Sequence, residues 1–520
     1  MPARQPGQGV KLAPPLEGIA GPTVTVNAFR LQGNKLLSDA QLAPVLAPFL
    51  NRPLNFRDLQ SAALAVSMAY RQAGWIVRAY LPRQDIDNGV VVIQVVEAAF
   101  GKVRFDGTPG RIDSGRLPAY VERAQPKGSV VNADALDRAI LLIDDLPGVA
   151  ATGSLAAGEG ENETDLVVKL SDDPLVSGDA GIDNTSARST GPVRATANLY
   201  LNSPLQIGDL AGINLLHSDG SDYVRLGYTL PLGAGGWRAG VNGSALRYRL
   251  VADEFEALHA HGISNTLGAE ASYPLIRSRT RNLFLQLNYD DRHFDNQAEG
   301  ATTSHYRISG ASIGLNGNLF DEFGGGGAST LSLFLSHGRV DLDGSPNREA
   351  DAATTAVAGG FTKLRYSLSR QQALGENLNL SLQFSGQAAS KNLDSSEKFY
   401  LGGFYGVRAY PSSEAGGSTG QLLNLDLTLR LARSLSLGTF YDRGHVKVNR
   451  DNGFAGAALV NDYSLQGAGV SLNWAAASRL NLKAVWARRI GSNPNPTNNG
   501  SDQDGSLHKN RFWLQATMGF

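Results

Sequence analysis

From about Leu175 to Phe520 the chain alternates. In Gln421–Leu431, QLLNLDLTLRL, the residues Leu423, Leu425, Leu427, Leu429 and Leu431 share one face, and Asn424, Asp426, Thr428 and Arg430 share the other. A period of two belongs to a strand. The same pattern runs through Leu378, Leu380, Leu382 and Phe384, and through Leu283, Leu285, Leu287 and Tyr289. About sixteen such segments follow one another, each near the roughly ten residues that a tilted membrane strand requires. The last, RFWLQATMGF, places Phe512, Leu514, Ala516, Met518 and Phe520 on one face and ends on an aromatic residue.

The connections test this reading separately. The tight turns LGAGG, ALGEN and LARS alternate with longer stretches at 293–304, 340–358, 389–420, 448–462 and 491–510. Short turns on one side and long loops on the other are the habit of an outer-membrane barrel. A large secreted β protein would share the period but has no reason to keep that parity.

Composition excludes several alternatives. No run of about 18 apolar residues is present, so a helical membrane protein is not expected, while a barrel hides its lipid face on alternate residues. A net charge of −1 without a basic stripe gives no case for nucleic acid. With no cysteine there are neither disulfides nor thiolate metal sites. The histidines are scattered, DLDG (341–344) and DQDG (502–505) read as turns, and GGGG (324–327) lacks a following Lys-Ser/Thr. No nucleophile arrangement is found, so neither enzyme activity, cofactor nor metal is expected. The first twenty residues lack the apolar stretch of a secretory leader, so an exported chain would be a processed form.

Residues 22–172 repeat a mixed pattern. FRLQG (29–33) and VRFDG (103–107) each read as a strand closing into a glycine turn. Asn55 and Asn132 stand as helix N-caps, each followed four residues later by leucine. Leu59, Ala63, Val66 and Tyr70, and again Leu136, Ile140 and Ile143, form helical stripes that can cover a sheet. Two β-α-α-β-β units of about 75 residues result, the size of a small domain.

Two such modules ahead of a sixteen-strand barrel resemble the POTRA-plus-barrel superfamily of outer-membrane insertases, and within it the two-partner secretion transporters (TpsB) that export haemolysins and filamentous haemagglutinin. VRAY, formed by Val407, Arg408, Ala409 and Tyr410, stands where that family has V-R-G-Y, with Ala409 in place of glycine. Phe440, Asp442 and Gly444 in LGTFYDRGHV match its F-x-D-x-G. Strand parity turns Leu435, Leu437, Thr439 and Tyr441 to lipid and Gly438, Phe440, Asp442 and Gly444 to the lumen. Arg408 is then expected to reach Asp442 from a loop, 390–420, folded into the barrel as a latched plug. In a wet lumen the pair would be worth about 1 kcal/mol or somewhat more.

The resemblance implies a mainly β protein: an N-terminal segment or linker (1–21), POTRA domains at 22–97 and 98–172, and a 16-stranded transmembrane β-barrel at 173–520. It implies a bacterial outer-membrane location with the POTRA domains in the periplasm, and a monomer placed in the bilayer by the barrel assembly machinery. The expected function is export of a secreted partner protein. That partner would be bound as an extended polypeptide by strand addition at the sheet edges WIVRAYLP and VAATGSLAA. The alternatives are an insertase of the same superfamily and a passive porin or adhesin. A plug helix at the N-terminus is not expected, because the twenty residues there are rich in Pro and Gly.

Overall fold

A computed structural model of the chain describes residues 23–160, 162–476 and 479–520, and the expected segment 1–21 lies outside them. In the first module Ala28–Gln32 runs parallel to Val90–Glu97, which pairs antiparallel with Val77–Tyr80. Two helices, Asp39–Leu46 and Phe56–Gln72, cover this sheet. The second begins where it does because the Asn55 side chain accepts from the Asp58 N–H and the Asp58 carboxylate accepts from the Asn55 N–H, both at 3.0 Å. Its stripe is buried: Ala63, Val66 and Tyr70 pack with Ile93 and Val95, each large apolar side chain contributing about 1.5–3 kcal/mol.

In the second module the sheet order is Ala99–Asp106, Glu163–Asp172, Val149–Ala157, with helices Pro118–Ala124 and Ala133–Asp144. Asn132 caps the latter, accepting from the Ala135 N–H at 2.9 Å. Val77–Tyr80 and Val149–Ala157 are therefore edge strands of their sheets.

Sixteen antiparallel strands, from Val176–Asp183 round to Asn510–Gly519, close a barrel. Side chains such as Leu226, Val241, Leu267, Ile313, Leu472, Phe512, Leu514 and Met518 stand exposed on its outer face. Inside, amides and hydroxyls pair across strands, as in Asn214 to Asn198 (2.8 Å), Asn316 to Gln286 (2.7 Å) and Asn288 to Ser312 (3.2 Å). The outer face is thus oily and the inner one wet, the division that period two requires. A cation on the outer face is expected to be costly: Leu425→Arg should lower the stability of refolded barrel in lipid vesicles by about 2–4 kcal/mol if near the midplane, measured by urea titration.

One expected loop is absent. Residues 293–304 continue the strands Arg281–Ala298 and Ala301–Asp321, joined by a two-residue turn. Glu299 and Gly300 both have positive φ (51° and 75°), a type I′ hairpin whose twist matches its strands. The polar letters there belong to a long hairpin, with Asn296 donating across it to Ser304 at 2.8 Å.

The closing seam is short. The last strand meets the first over five residue pairs, Gln515↔Asp183 to Gly519↔Asp179, against eight between the first two strands. Asn184 lengthens it with its side chain, accepting from the Leu514 N–H (2.8 Å) and donating to the Phe512 carbonyl (2.9 Å). Asn184→Ala should remove about 1–2 kcal/mol from the closed barrel and lower the temperature at which it loses its compact migration on a gel.

Candidate functional site

Residues 390–418 connect the strands Leu378–Ala389 and Thr419–Arg430 by passing through the lumen. Their backbone folds tightly on itself. The Val407 N–H donates to the Leu401 carbonyl (2.6 Å), the Tyr410 N–H to Val407 (3.0 Å) and the Gly403 N–H to Tyr410 (3.2 Å). Glycine is needed for close approach: a Cβ on Gly406 would sit 2.0 Å from the Leu401 oxygen, and one on Gly402 2.2 Å from that of Pro411. Leu401, Val407, Ala409 and Tyr410, all fully buried, pack with the lumen-facing Leu422, Phe440, Val446, Leu465, Val485 and Trp513.

The fold presents Arg408 at the tip. Its Nε and one terminal nitrogen donate to the two oxygens of Asp442 (2.9 and 2.7 Å). The terminal nitrogens also fork onto Asp426 (2.7 and 3.0 Å), and the Arg408 N–H donates to Asp442 at 3.0 Å. The guanidinium lies 3.5 Å from the centroid of the Phe440 ring. Asn424 donates to both Asp442 (2.7 Å) and the Gly406 carbonyl (3.0 Å), fixing carboxylate and loop together. The Trp513 indole donates to the Arg408 carbonyl at 2.8 Å. Burial acts to lower the Arg408 pKa, but the hydrogen bonds that the guanidinium donates to Asp442 and Asp426 more than offset it, so it is raised and the charge is held.

This setting is drier than the wet lumen expected from sequence. Arg408 is 6% exposed and Asp442 fully buried, so breaking the pair strands a buried charge, which costs about 3–5 kcal/mol rather than about 1. Alanine in place of the family's glycine at 409 meets no left-handed backbone here. Ala409 is absent from the residues with positive φ, and its methyl faces Gly467, where an added Cβ would lie 2.6 Å away. Gly444 likewise makes room for Leu401, 2.7 Å from where its Cβ would be.

Residues outside the two motifs complete the site. Asp426, Asn424 and Trp513 all lie on lumen-facing positions that the alternation identifies, although the motifs do not include them. Tyr410 lies under Arg489, 4.2 Å from ring centroid to guanidinium. Arg489 in turn pairs with Asp502, which Arg511 also reaches at 3.2 Å. Asp502 opens the expected turn, its carbonyl accepting from the Gly505 N–H at 2.9 Å, and its buried carboxylate is an ion-pair partner as well. Glu414, fully buried, accepts from Asn493 (2.9 Å) and from the Gln503 N–H (2.7 Å), and burial pushes its carboxyl above the usual range. Ser412 donates to the Thr185 carbonyl at 2.8 Å.

Residues 162–473 match the family of haemolysin secretion/activation proteins ShlB/FhaC/HecB, and residues 24–98 match the ShlB-type POTRA domain. The heme/hemopexin transporter protein HuxB of Haemophilus influenzae is 26% identical, covering 97% of this chain and 88% of the relative. The outer membrane transporter CdiB of Dickeya dadantii is 23% identical over 85% of this chain and 79% of its own. Among solved structures, CdiB from Escherichia coli superposes with a TM-score of 0.72 at 20% identity, covering 98% of this chain and 93% of that one. BamA from Haemophilus ducreyi lacking POTRA domains 1–3 gives 0.56 at 15%, covering 95% and 100%. At these identities the structural likeness is one of fold.

Proposed function

Because the chain belongs to the haemolysin secretion/activation protein family, the two-partner secretion transporters of the outer membrane, we propose that it exports one secreted partner through the barrel, with the docked loop as a releasable plug. Its POTRA domains, divided at 22–97 and 98–172 ahead of the barrel at 173–520, take up the partner in the periplasm as an extended chain. The edges Val77–Tyr80 and Val149–Ala157 offer unpaired backbone to such a chain. No chemical step is needed, and a monomer, once placed in the bilayer by the barrel assembly machinery, suffices.

The observation that carries this reading is a buried guanidinium, on a loop inside the barrel, held by two wall carboxylates. Val407, Ala409 and Tyr410 seat the loop, Phe440 and Gly444 shape its socket, and Arg408 with Asp442 acts as the latch. A contact made of charged hydrogen bonds holds a position yet is exchangeable for others when a polypeptide enters. Depletion of the protein tests the function. Loss of one exoprotein from the medium, with other outer-membrane barrels at normal levels, is expected. A general fall in those barrels would replace export by an insertase role.

A further inference from the structure

The plug loop carries a second charge into the lumen, of opposite sign. Glu397, 3% exposed, lies near the start of the loop, and its carboxylate accepts from Arg292 and Lys363 on the barrel wall. Its carbonyl accepts from Gln387 (3.1 Å), Lys363 (3.4 Å) and Arg365 (3.4 Å), and Arg365 also donates to Gln387 at 2.6 Å. Where Arg408 meets two wall carboxylates, Glu397 meets three wall cations. One carboxylate does not balance three cations away from bulk water, and such an excess favours further anionic groups.

Two further observations point to capacity beyond the resident group. The Arg292 Nε is buried and has no hydrogen-bond partner among the described residues. Beside it lies a cavity of about 630 Å³ whose walls include Arg225, Arg292, Lys363 and Arg365 together with Glu397. Glu270 and Asp290 also line it, with Arg225 facing Glu270 at 3.9 Å, so four cations and three carboxylates share the walls and one positive charge is left over.

We propose that the pocket formed by Arg292, Lys363 and Arg365 is a carboxylate-binding site for acidic side chains of a polypeptide in transit, and that Glu397 is the built-in occupant they replace. This rests on the export reading above. Once the loop withdraws, water enters and each contact becomes weak, as passage requires: strong enough to receive a group and weak enough to let it go.

The test uses the full-length protein in detergent micelles and two labelled, capped Gly/Ser peptides, one carrying spaced glutamates and the other glutamines at the same places. Unmutated protein should bind the glutamate peptide more tightly than the glutamine peptide. Glu397→Gln, by emptying the pocket of its own carboxylate, should strengthen glutamate-peptide binding about tenfold, one charge-assisted contact's worth. Adding Lys363→Gln and Arg365→Gln should erase that gain. Equal affinity for the two peptides in unmutated and Glu397→Gln protein, or a gain that survives loss of the cations, overturns the proposal. The unmutated comparison stands even where the variant does not assemble. Failure of the export reading would appear elsewhere, as a general fall in outer-membrane barrels when the protein is depleted, whatever the peptides do.

Discussion

Arg408→Ala is expected to assemble as a normal barrel, to cut export of the partner at least about tenfold, and to conduct ions more often in planar bilayers. The magnitude follows from what is left behind. Asp442, fully buried, would keep only Asn424 as a side-chain donor, and a stranded buried charge costs about 3–5 kcal/mol. The loop would then leave its socket far more of the time, a shift of over a hundredfold in the docked equilibrium. Asp442→Ala should act in the same direction. Asp426→Ala should do less, because Asp426 is part-exposed and takes only the outer prongs of the fork. Heat-dependent gel migration checks assembly, and single-channel recording with an export assay checks the rest. Native conductance and native export in both Arg408→Ala and Asp442→Ala would remove the latch from the mechanism.

A second large effect should come from a residue that carries no charge. Gly467→Ala puts a methyl where only 2.6 Å separates it from that of Ala409, in a fully buried contact that cannot widen without lifting the loop. The variant should therefore behave like Arg408→Ala although every member of the ion cluster is present. Ala409→Gly alone should change little, since position 409 needs no left-handed backbone. Combined with Gly467→Ala it should restore the docked, quiet channel, because one methyl is exchanged for the other across the same contact. Failure of that rescue would show that Gly467 matters for the strand and not for the seat of the loop.

The barrel was legible because lipid and water write themselves on alternate residues, and QLLNLDLTLRL shows this without any aid from the fold. The modules were legible through their punctuation: Asn55 and Asn132 cap helices in the structure as their positions predict. Where polarity served as a proxy for loop, the reading failed. At 293–304 the strands, 18 and 21 residues long, run on beyond the roughly ten that a membrane strand needs, and the paired positive φ of Glu299 and Gly300 marks the turn.

Arg408 and Asp442 could be named from motifs, but their dryness could not. That property arises where Leu401 and Phe404 of the loop meet Leu465, Val485 and Trp513 of wall strands far away in sequence, a meeting that no local pattern records. The same holds for Asp502. DQDG forms its turn, the Asp502 carbonyl accepting from the Gly505 N–H at 2.9 Å and the Asp504 carboxylate from the Ser506 N–H at 3.0 Å, while the Asp502 carboxylate also becomes the partner of Arg489 and Arg511. Alternation does place Asp426 and Trp513 on the inward side, so an inventory of inward polar and aromatic groups would have found them.

The hydrogen bonds of Trp513 and Ser412 have a mechanical outcome. The first reaches the loop from the final strand and the second reaches the residue pair just beyond the opening strand, so the stopper spans the joint where the two ends of the sheet meet. Pulling it out unbuttons, from within, the most thinly stitched line of the wall. Emptying the conduit thus also removes two ties that cross its join.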